Sequence, residues 1–288
     1  MSQLDYLAPV TVEDAVKALA KDGARPLAGG TDLLVQLRAG RLGAGSIVDL
    51  KRIAGAVGIR QQGGGFVIGA ATCGAVIGEN KALAAAWPGV VEAANLIGST
   101  QVQGRASLAG NLCNASPAAD SVPALIAARA VCVVMGPGGR REVAAEHIGT
   151  APGRNCLAPG EFVLEILLPA RPAKASDAYL RLIPRTEMDI AVVGAGVSLV
   201  LDEAGVVSEA HVALGAVAPT ALLVADAGMA LVGSRLDAAA LARLDAAAQA
   251  ACSPISDKRG TSEYRTRIAG VLAKRAALIA FQRAGGQV

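Results

Sequence analysis

The 288-residue chain, 34 of whose residues are glycine, is 53% hydrophobic and 18% charged, which excludes a disordered tail and fits a core spread over one or two domains. With only 3 Phe, 3 Tyr and 1 Trp, it lacks stacking platforms for single-stranded nucleic acid, and its core is expected to be aliphatic. Lys and Arg number 27 against 24 Asp and Glu, a net charge of +3 with no basic cluster to track a phosphate backbone, so no nucleic-acid partner is expected.

Residues 11–21 read as a helix, with Thr11 as N-cap, Asp14 in the first turn, and Ala15, Val16 and Leu19 on one face. A strand over 24–28 lies between Gly23 and Gly29, after which Leu33, Leu34 and Leu37 repeat at helical spacing up to Gly40. Strands follow at 46–50 and 66–68, and Gly63, Gly64 and Gly65 between them suit a tight hairpin; residues 1 to about 56 form a small lobe. Helices are predicted over 72–79 and 82–96. From Ile97 to Asp120 the pattern dissolves into Gly, Ser, Asn, Gln and Pro. A structureless stretch of about 20 residues is uncommon in a compact domain unless it binds something, so this segment is read as a binding loop.

A helix over 121–130 and strands over 131–135 and 162–168 come next, the strands stopped by Gly136-Pro137 and Pro169. Pro172, Lys174 and Ser176 mark a boundary near 170–177, giving an N-terminal domain over 1–173 (subdomains about 1–56 and 57–173) and a C-terminal domain over 174–288. The latter opens with strands at 191–201 and 206–216, joined through 202–205, and ends in alanine-rich helices around 221–232, 237–251 and 262–283.

The longest uncharged apolar run, 191–201, is too short to cross a bilayer, and the segment from Met1 to Asp5 has no secretion-signal character; a soluble, cytoplasmic chain without membrane insertion is expected. Cysteines at 73, 113, 132, 156 and 252 form neither a CxxC pair nor a disulfide framework, so no metal is expected and a reducing compartment is the simpler reading. His147 and His211 stand alone and read as surface or packed residues.

Neither GxGxxG nor GxxxxGK[ST] occurs. Two segments remain as candidates. In the first, from Pro26 to Leu34, Gly29 and Gly30 let backbone amides approach an anion at a helix start; an ordinary strand-to-helix turn capped by Thr31 or Asp32 has the same pattern. In the second, from Arg105 to Asp120, Ser107, Asn111, Asn114, Ser116 and Asp120 supply donors and acceptors among small side chains; a loop capped by its own Asx-turns is the alternative.

In this order and separation the two segments resemble the flavin-binding medium subunit of the molybdenum hydroxylases, the family of xanthine dehydrogenase and carbon monoxide dehydrogenase. The resemblance continues in Tyr179-Leu180-Arg181 through Asp189-Ile190-Ala191, in Leu214-Gly215-Ala216-Val217-Ala218-Pro219-Thr220, and in Pro254-Ile255-Ser256-Asp257 with Glu263-Tyr264-Arg265. It implies an α+β fold: a two-subdomain FAD-binding N-terminal domain of the PCMH type, then an antiparallel sheet with a C-terminal helical bundle. By resemblance, Leu27, Ala28, Gly29, Gly30, Thr31, Asp32 and Leu33 wrap the FAD pyrophosphate. Ala106, Ser107, Gly110, Asn111, Cys113, Asn114 and Asp120 line the adenosine-diphosphate and ribityl portions. Ile97, Val163 and Leu164 lie near the flavin.

Arg181 stands where many relatives have Lys near the cofactor, and either stabilises charge on a reduced flavin or pairs with Glu187 or Asp189. Ala109 departs from a position more often Gly. The implied function is an oxidoreductase subunit that takes electrons from [2Fe–2S] clusters of a small partner subunit and passes them through FAD to an external acceptor. Molybdopterin belongs to a large partner subunit, in a dimer of heterotrimers. A free-standing flavoprotein oxidase or reductase and a flavin-less scaffold are the alternatives. No catalytic side chain is expected, because redox chemistry is the cofactor's own.

Overall fold

A computed structural model describes residues 4–43, 45–186 and 188–287. The first lobe comprises β1 (Asp5–Leu7), α1 (Val12–Leu19), β2 (Ala24–Leu27), α2 (Leu33–Arg38) and β3 (Ser46–Asp49). Its sheet runs in the order β1-β3-β2, parallel throughout, with β3 buried along its length. Thr11 caps α1 by accepting the Asp14 amide at 3.2 Å, and Ala15, Ala18 and Leu19 turn inward onto Val48 and Leu50.

The second lobe opens with β4 (Ile59–Gln62) and β5 (Gly65–Gly69) and continues through α3 (Gly74–Glu79), α4 (Lys81–Ala86), α5 (Pro88–Ala94), α6 (Thr100–Gln103), α7 (Leu108–Cys113) and α8 (Ser121–Ala127). It closes with β6 (Val131–Gly136), β7 (Gly139–Ala144), β8 (Gly149–Ala151), β9 (Arg154–Asn155) and β10 (Phe162–Leu168). Its five-stranded sheet, β4-β5-β10-β6-β7, is antiparallel, and β8 pairs with β9 beside it. The third unit is the antiparallel sheet β11 (Ala175–Leu182), β12 (Val193–Leu201), β13 (Val207–Gly215), β14 (Leu222–Leu223), followed by α9 (Ala225–Met229), α10 (Ala238–Ala250) and α11 (Ser262–Arg283). Helix α11 lays fully buried Ala269, Ala273, Ala276, Ala277 and Ala280 inward, and it packs on β11, β12 and α10; side chains this short permit close approach. The result is the α+β plan expected from the sequence.

Several elements differ from the sequence expectations. The helix expected over 82–96 is two helices, because the residue before a proline is pushed out of helical backbone: Trp87 sits at φ −131°, ψ 62° ahead of Pro88. The glycine hairpin joins β4 to β5, whereas β3 belongs to the other lobe's sheet. Residues 97–120 hold two short helices, α6 and α7, in place of a structureless loop. The C-terminal unit opens with β11, a strand the sequence reading lacks, paired with β12 from Ala175 to Leu182.

The core is mostly aliphatic, yet Phe66, Trp87, Phe162, Tyr179 and Phe281 are all buried within it. Arg171 stacks 3.8 Å over Trp87 and binds Asp177 at 2.7 Å, tying α5 to the C-terminal sheet. Helix α8 lies against the bare strip at Gly196, where a Cβ would come within 2.6 Å of the Pro123 carbonyl oxygen. That close seat fixes the helix following the second candidate segment. His211 pairs with Glu209 and His147 is largely exposed beside Glu146. Among the described residues no helix is long and apolar enough to cross a membrane, and no cluster of His, Cys, Asp or Glu is arranged to hold a metal ion.

Candidate functional site

The two candidate segments meet. They form opposite walls of a cavity of about 230 Å³ between the first and second lobes, while a second cleft, near Leu112 and Thr220, encloses about 20 Å³. Contact between the walls depends on Gly29: a Cβ there would stand 1.9 Å from the Arg105 carbonyl oxygen, so any other residue forces the segments apart. Gly30 takes the left-handed conformation, φ +79°, and a Cβ would meet Leu27 and Leu34 at 2.9 and 3.0 Å. This turns the chain sharply from β2 into α2.

The turn leaves donors unused. Among the described residues, the N–H groups of Gly29, Gly30, Thr31, Asp32 and Leu33 donate to no protein acceptor. Five such groups at a helix start invite an anion. Across the cavity, Ser107 caps α7 by accepting the Gly110 amide at 3.1 Å, while among the described residues the N–H of Ala109, which lines the cavity, has no protein acceptor. Asn111 Oδ1 accepts from the Ser121 hydroxyl at 2.7 Å and the Ser121 amide at 3.2 Å. Its Nδ2 is thereby left as the free donor of a residue that lines the cavity. Gln36 Nε2 donates to Asn114 Oδ1 at 3.2 Å and locks α2 to the end of α7.

The remaining wall is apolar: Leu27, Leu50, Ile97, Leu157, Phe162 and Val163. Asn155 braces it, donating to the Cys113 carbonyl at 2.8 Å and accepting from the Leu157 amide at 3.1 Å. The Cys113 thiol is pushed up to about 12 by burial, which keeps it protonated and unreactive. Burial also raises the Asp32 carboxyl above its usual value. Apolar walls flanking a row of N–H donors, with the Ala109 amide and Asn111 Nδ2 opposite, suit a flat ring system joined to a polyanionic chain.

Of the residues expected from the sequence, Leu27, Ala28, Gly29, Gly30, Thr31, Asp32, Leu33, Ile97, Ala106, Ser107, Gly110, Asn111, Cys113, Asn114 and Val163 all line this cavity. Asp120, Leu164 and Arg181 are not among the lining residues. Leu164 is the extra residue of a bulge between Val163 and Glu165, and it packs on the first-lobe core. Arg181 pairs with Asp120 at 2.7 Å, joined by the Tyr179 hydroxyl at 3.4 Å, and not with Asp189. Asp189 binds Arg185 and Arg259 instead, and Glu187 lies outside the described residues. Burial pushes the Asp120 carboxyl up to about 6, against the opposing pull of Arg181 and Tyr179.

Arg25, Pro26, Gln36, Leu50, Ala70, Ala109, Asn155, Leu157 and Phe162 also line the cavity. Pro26 belongs to the first segment, Arg25 directly precedes it and Gln36 lies two residues beyond its end, so extending that motif would have found them. Asn155 and Leu157 carry no local signal, because only the docking of the β9–β10 connection brings them in.

The fold and this cavity define a protein of two N-terminal lobes and a C-terminal sheet that takes a ligand between the lobes. The comparisons with known proteins specify which. The family model described as the FAD binding domain in molybdopterin dehydrogenase matches residues 2–171, and that of the CO dehydrogenase flavoprotein C-terminal domain matches residues 178–280. The chain is 36% identical to the carbon monoxide dehydrogenase medium chain of Afipia carboxidovorans over 94% of both chains. It is 29% identical to a putative xanthine dehydrogenase FAD-binding subunit of Escherichia coli K12, over 98% of both.

Among solved structures, a reconstituted CO dehydrogenase from Oligotropha carboxidovorans superposes with a TM-score of 0.93, at 36% identity and 98% coverage of both chains. A quinoline 2-oxidoreductase chain from Pseudomonas putida 86 gives 0.89 at 26% identity, again covering 98% of both. The chain therefore belongs to the FAD-binding medium subunits of the molybdenum hydroxylases, and is an oxidoreductase subunit with FAD as its own cofactor. The unpartnered amides and the glycine-lined contact between the walls fit that group.

Proposed function

We propose that this chain is the subunit through which electrons from a small partner's [2Fe–2S] clusters reach an external acceptor, after a large molybdopterin-bearing partner has oxidised substrate. Bound FAD supplies the redox chemistry that links these centres. The protein's part is to bind and orient it: the amides of residues 29–33 and of Ala109 hold the diphosphate, Asn111 Nδ2 adds a side-chain donor, and Ile97, Phe162 and Val163 exclude water from the ring. The observation that carries this reading is the meeting of Gly29 with Arg105, which brings the unpaired amides of residues 29–33 and of Ala109 to one cavity. Asp120 and Arg181 act from behind the wall, clamping the α7–α8 connection to β11.

The proposed assembly is a dimer of heterotrimers, and a division near residue 173 into FAD-binding and C-terminal domains accompanies it. Five unpaired cysteines suit the reducing cytoplasm. Unused amides argue against a flavin-less scaffold, since a scaffold gains nothing from a donor-lined cavity. Native purification is the test. The chain should emerge yellow and bound to larger and smaller subunits bearing molybdenum and iron–sulfur absorbance; a yellow chain that is active alone would overturn the relay.

A further inference from the structure

The free amides of the first segment are only half of a design. Their carbonyls are held from the other side. Leu27 O accepts the Leu50 amide at 3.0 Å, Ala28 O accepts the Lys51 ammonium at 2.9 Å, and Gly29 O accepts Arg105 Nε at 3.4 Å. Lys51 is itself braced, because its ammonium donates to Asp49 Oδ1 at 2.7 Å and the Tyr6 hydroxyl donates to Asp49 Oδ2 at 2.6 Å. Asp49 is 6% exposed and its carboxyl lies below the usual range: burial would raise it, but bonds from Lys51 and Tyr6 outweigh that effect. Lys51 does not line the cavity.

In a planar trans peptide the C=O and the following N–H point in opposite directions. A donor that pins the Ala28 carbonyl on the β3 side therefore fixes the Gly29 N–H toward the opposite side, which is the cavity. Glycine at 29 makes the alternative orientation cheap, since no Cβ resists rotation of that peptide plane. In the flipped state the Ala28 carbonyl dipole would face the diphosphate and repel it. Gly29 is required by the close contact with Arg105, so the rigidity its backbone lacks must come from another residue.

We propose that Lys51, held by Asp49 and Tyr6, is a positioning residue for the flavin's diphosphate, pinning the Ala28 carbonyl so that the Gly29 amide stays aimed into the cavity. The inference rests on the placement of FAD given above. It assigns the lysine no direct contact with cofactor and no role in electron transfer.

The test uses the full chain, stripped of flavin and titrated with FAD, ADP and riboflavin. Lys51→Met keeps the aliphatic stem and removes the donor. It should weaken FAD and ADP, which carry a diphosphate, by about tenfold (about 1.4 kcal/mol), and leave riboflavin, which does not, unchanged. Lys51→Arg, which can reach the same carbonyl, should restore most of the loss. Tyr6→Phe, at a residue 61% exposed, should weaken FAD about two- to threefold and decides the matter if Lys51→Met does not fold. Equal weakening of all three ligands, or no weakening in either variant while Gly30→Val still abolishes FAD binding, overturns the role of Lys51 alone. FAD affinity unchanged in Gly30→Val as well overturns the placement of the cofactor.

Discussion

Gly29→Ala adds a single methyl group where the two walls of the cavity touch. The new Cβ would stand 1.9 Å from the Arg105 carbonyl oxygen, and ordinary contact begins near 3.4 Å, so the walls must separate by 3.4 − 1.9 = 1.5 Å along that line. The obstacle is backbone, which cannot rotate aside as a flexible side chain would. An N–H···O bond of about 2.9 Å stretched by that amount is no longer a bond. Loss of two charge-assisted bonds, at about 1.5–3 kcal/mol each, costs about 3–6 kcal/mol, or at least about a 100-fold rise in the FAD dissociation constant. Equilibrium dialysis against FAD, read by the flavin absorbance of the full chain, measures it. Circular dichroism and thermal melting of the flavin-free protein check that the lobes still fold, and Gly29 itself is only half-buried. A dissociation constant within about threefold of the parent's, with an intact fold, would refute the idea that the walls jointly grip the diphosphate.

Asn111→Leu removes the free Nδ2 donor and the acceptor that holds Ser121, and should lower FAD affinity about tenfold in the same dialysis. Arg171→Ala strips Asp177 of its buried partner and Trp87 of its stacked cation, and should lower stability by about 3–5 kcal/mol in urea titration; a change under about 1 kcal/mol would contradict the burial of that pair. Asp120 carries the pH prediction. Its folded-state pKa of about 6 lies above its unfolded value near 3.8, so the native state binds the proton more tightly. Its contribution is most favourable below about pH 4, declines as pH rises through 6, and is flat above. Asp120→Asn, which mimics the protonated form, should gain on the parent protein by up to about 3 kcal/mol between pH 4 and pH 7 in melting experiments; a gap that moves the other way would show that Arg181 outweighs burial.

Much of this architecture is legible in local sequence. Thr11 and Asp14 announce α1, the period of Leu33, Leu34 and Leu37 gives α2, and both long apolar runs of the C-terminal region are strands. The cofactor segments are legible for a different reason: glycines and short polar side chains cluster where backbone must approach backbone or ligand. Other features are set by tertiary context. Helix α7 is hidden because Gly110 and Asn111 are poor helix formers, and the six-residue helix forms with Ser107 as its cap and the buried faces of Leu108 and Leu112 as its anchors. Strand β11 is hidden by the prolines ahead of it and by the polar Ser176 and Asp177, both buried, with α5 and Arg171 supplying the partners of Asp177. The Arg181–Asp120 pair spans 61 residues, and nothing local singles out Asp120 over Asp189. Lys51 was silent for the same reason, since its significance lies in a carbonyl 23 residues away.

A crystal structure of the full chain with FAD tests the central claim most directly. The diphosphate should lie between the two glycine-bearing walls, within hydrogen-bond reach of the Gly29 to Leu33 amides on one side and the Ala109 amide and Asn111 Nδ2 on the other. Density for the flavin elsewhere, with only solvent between those walls, would contradict it.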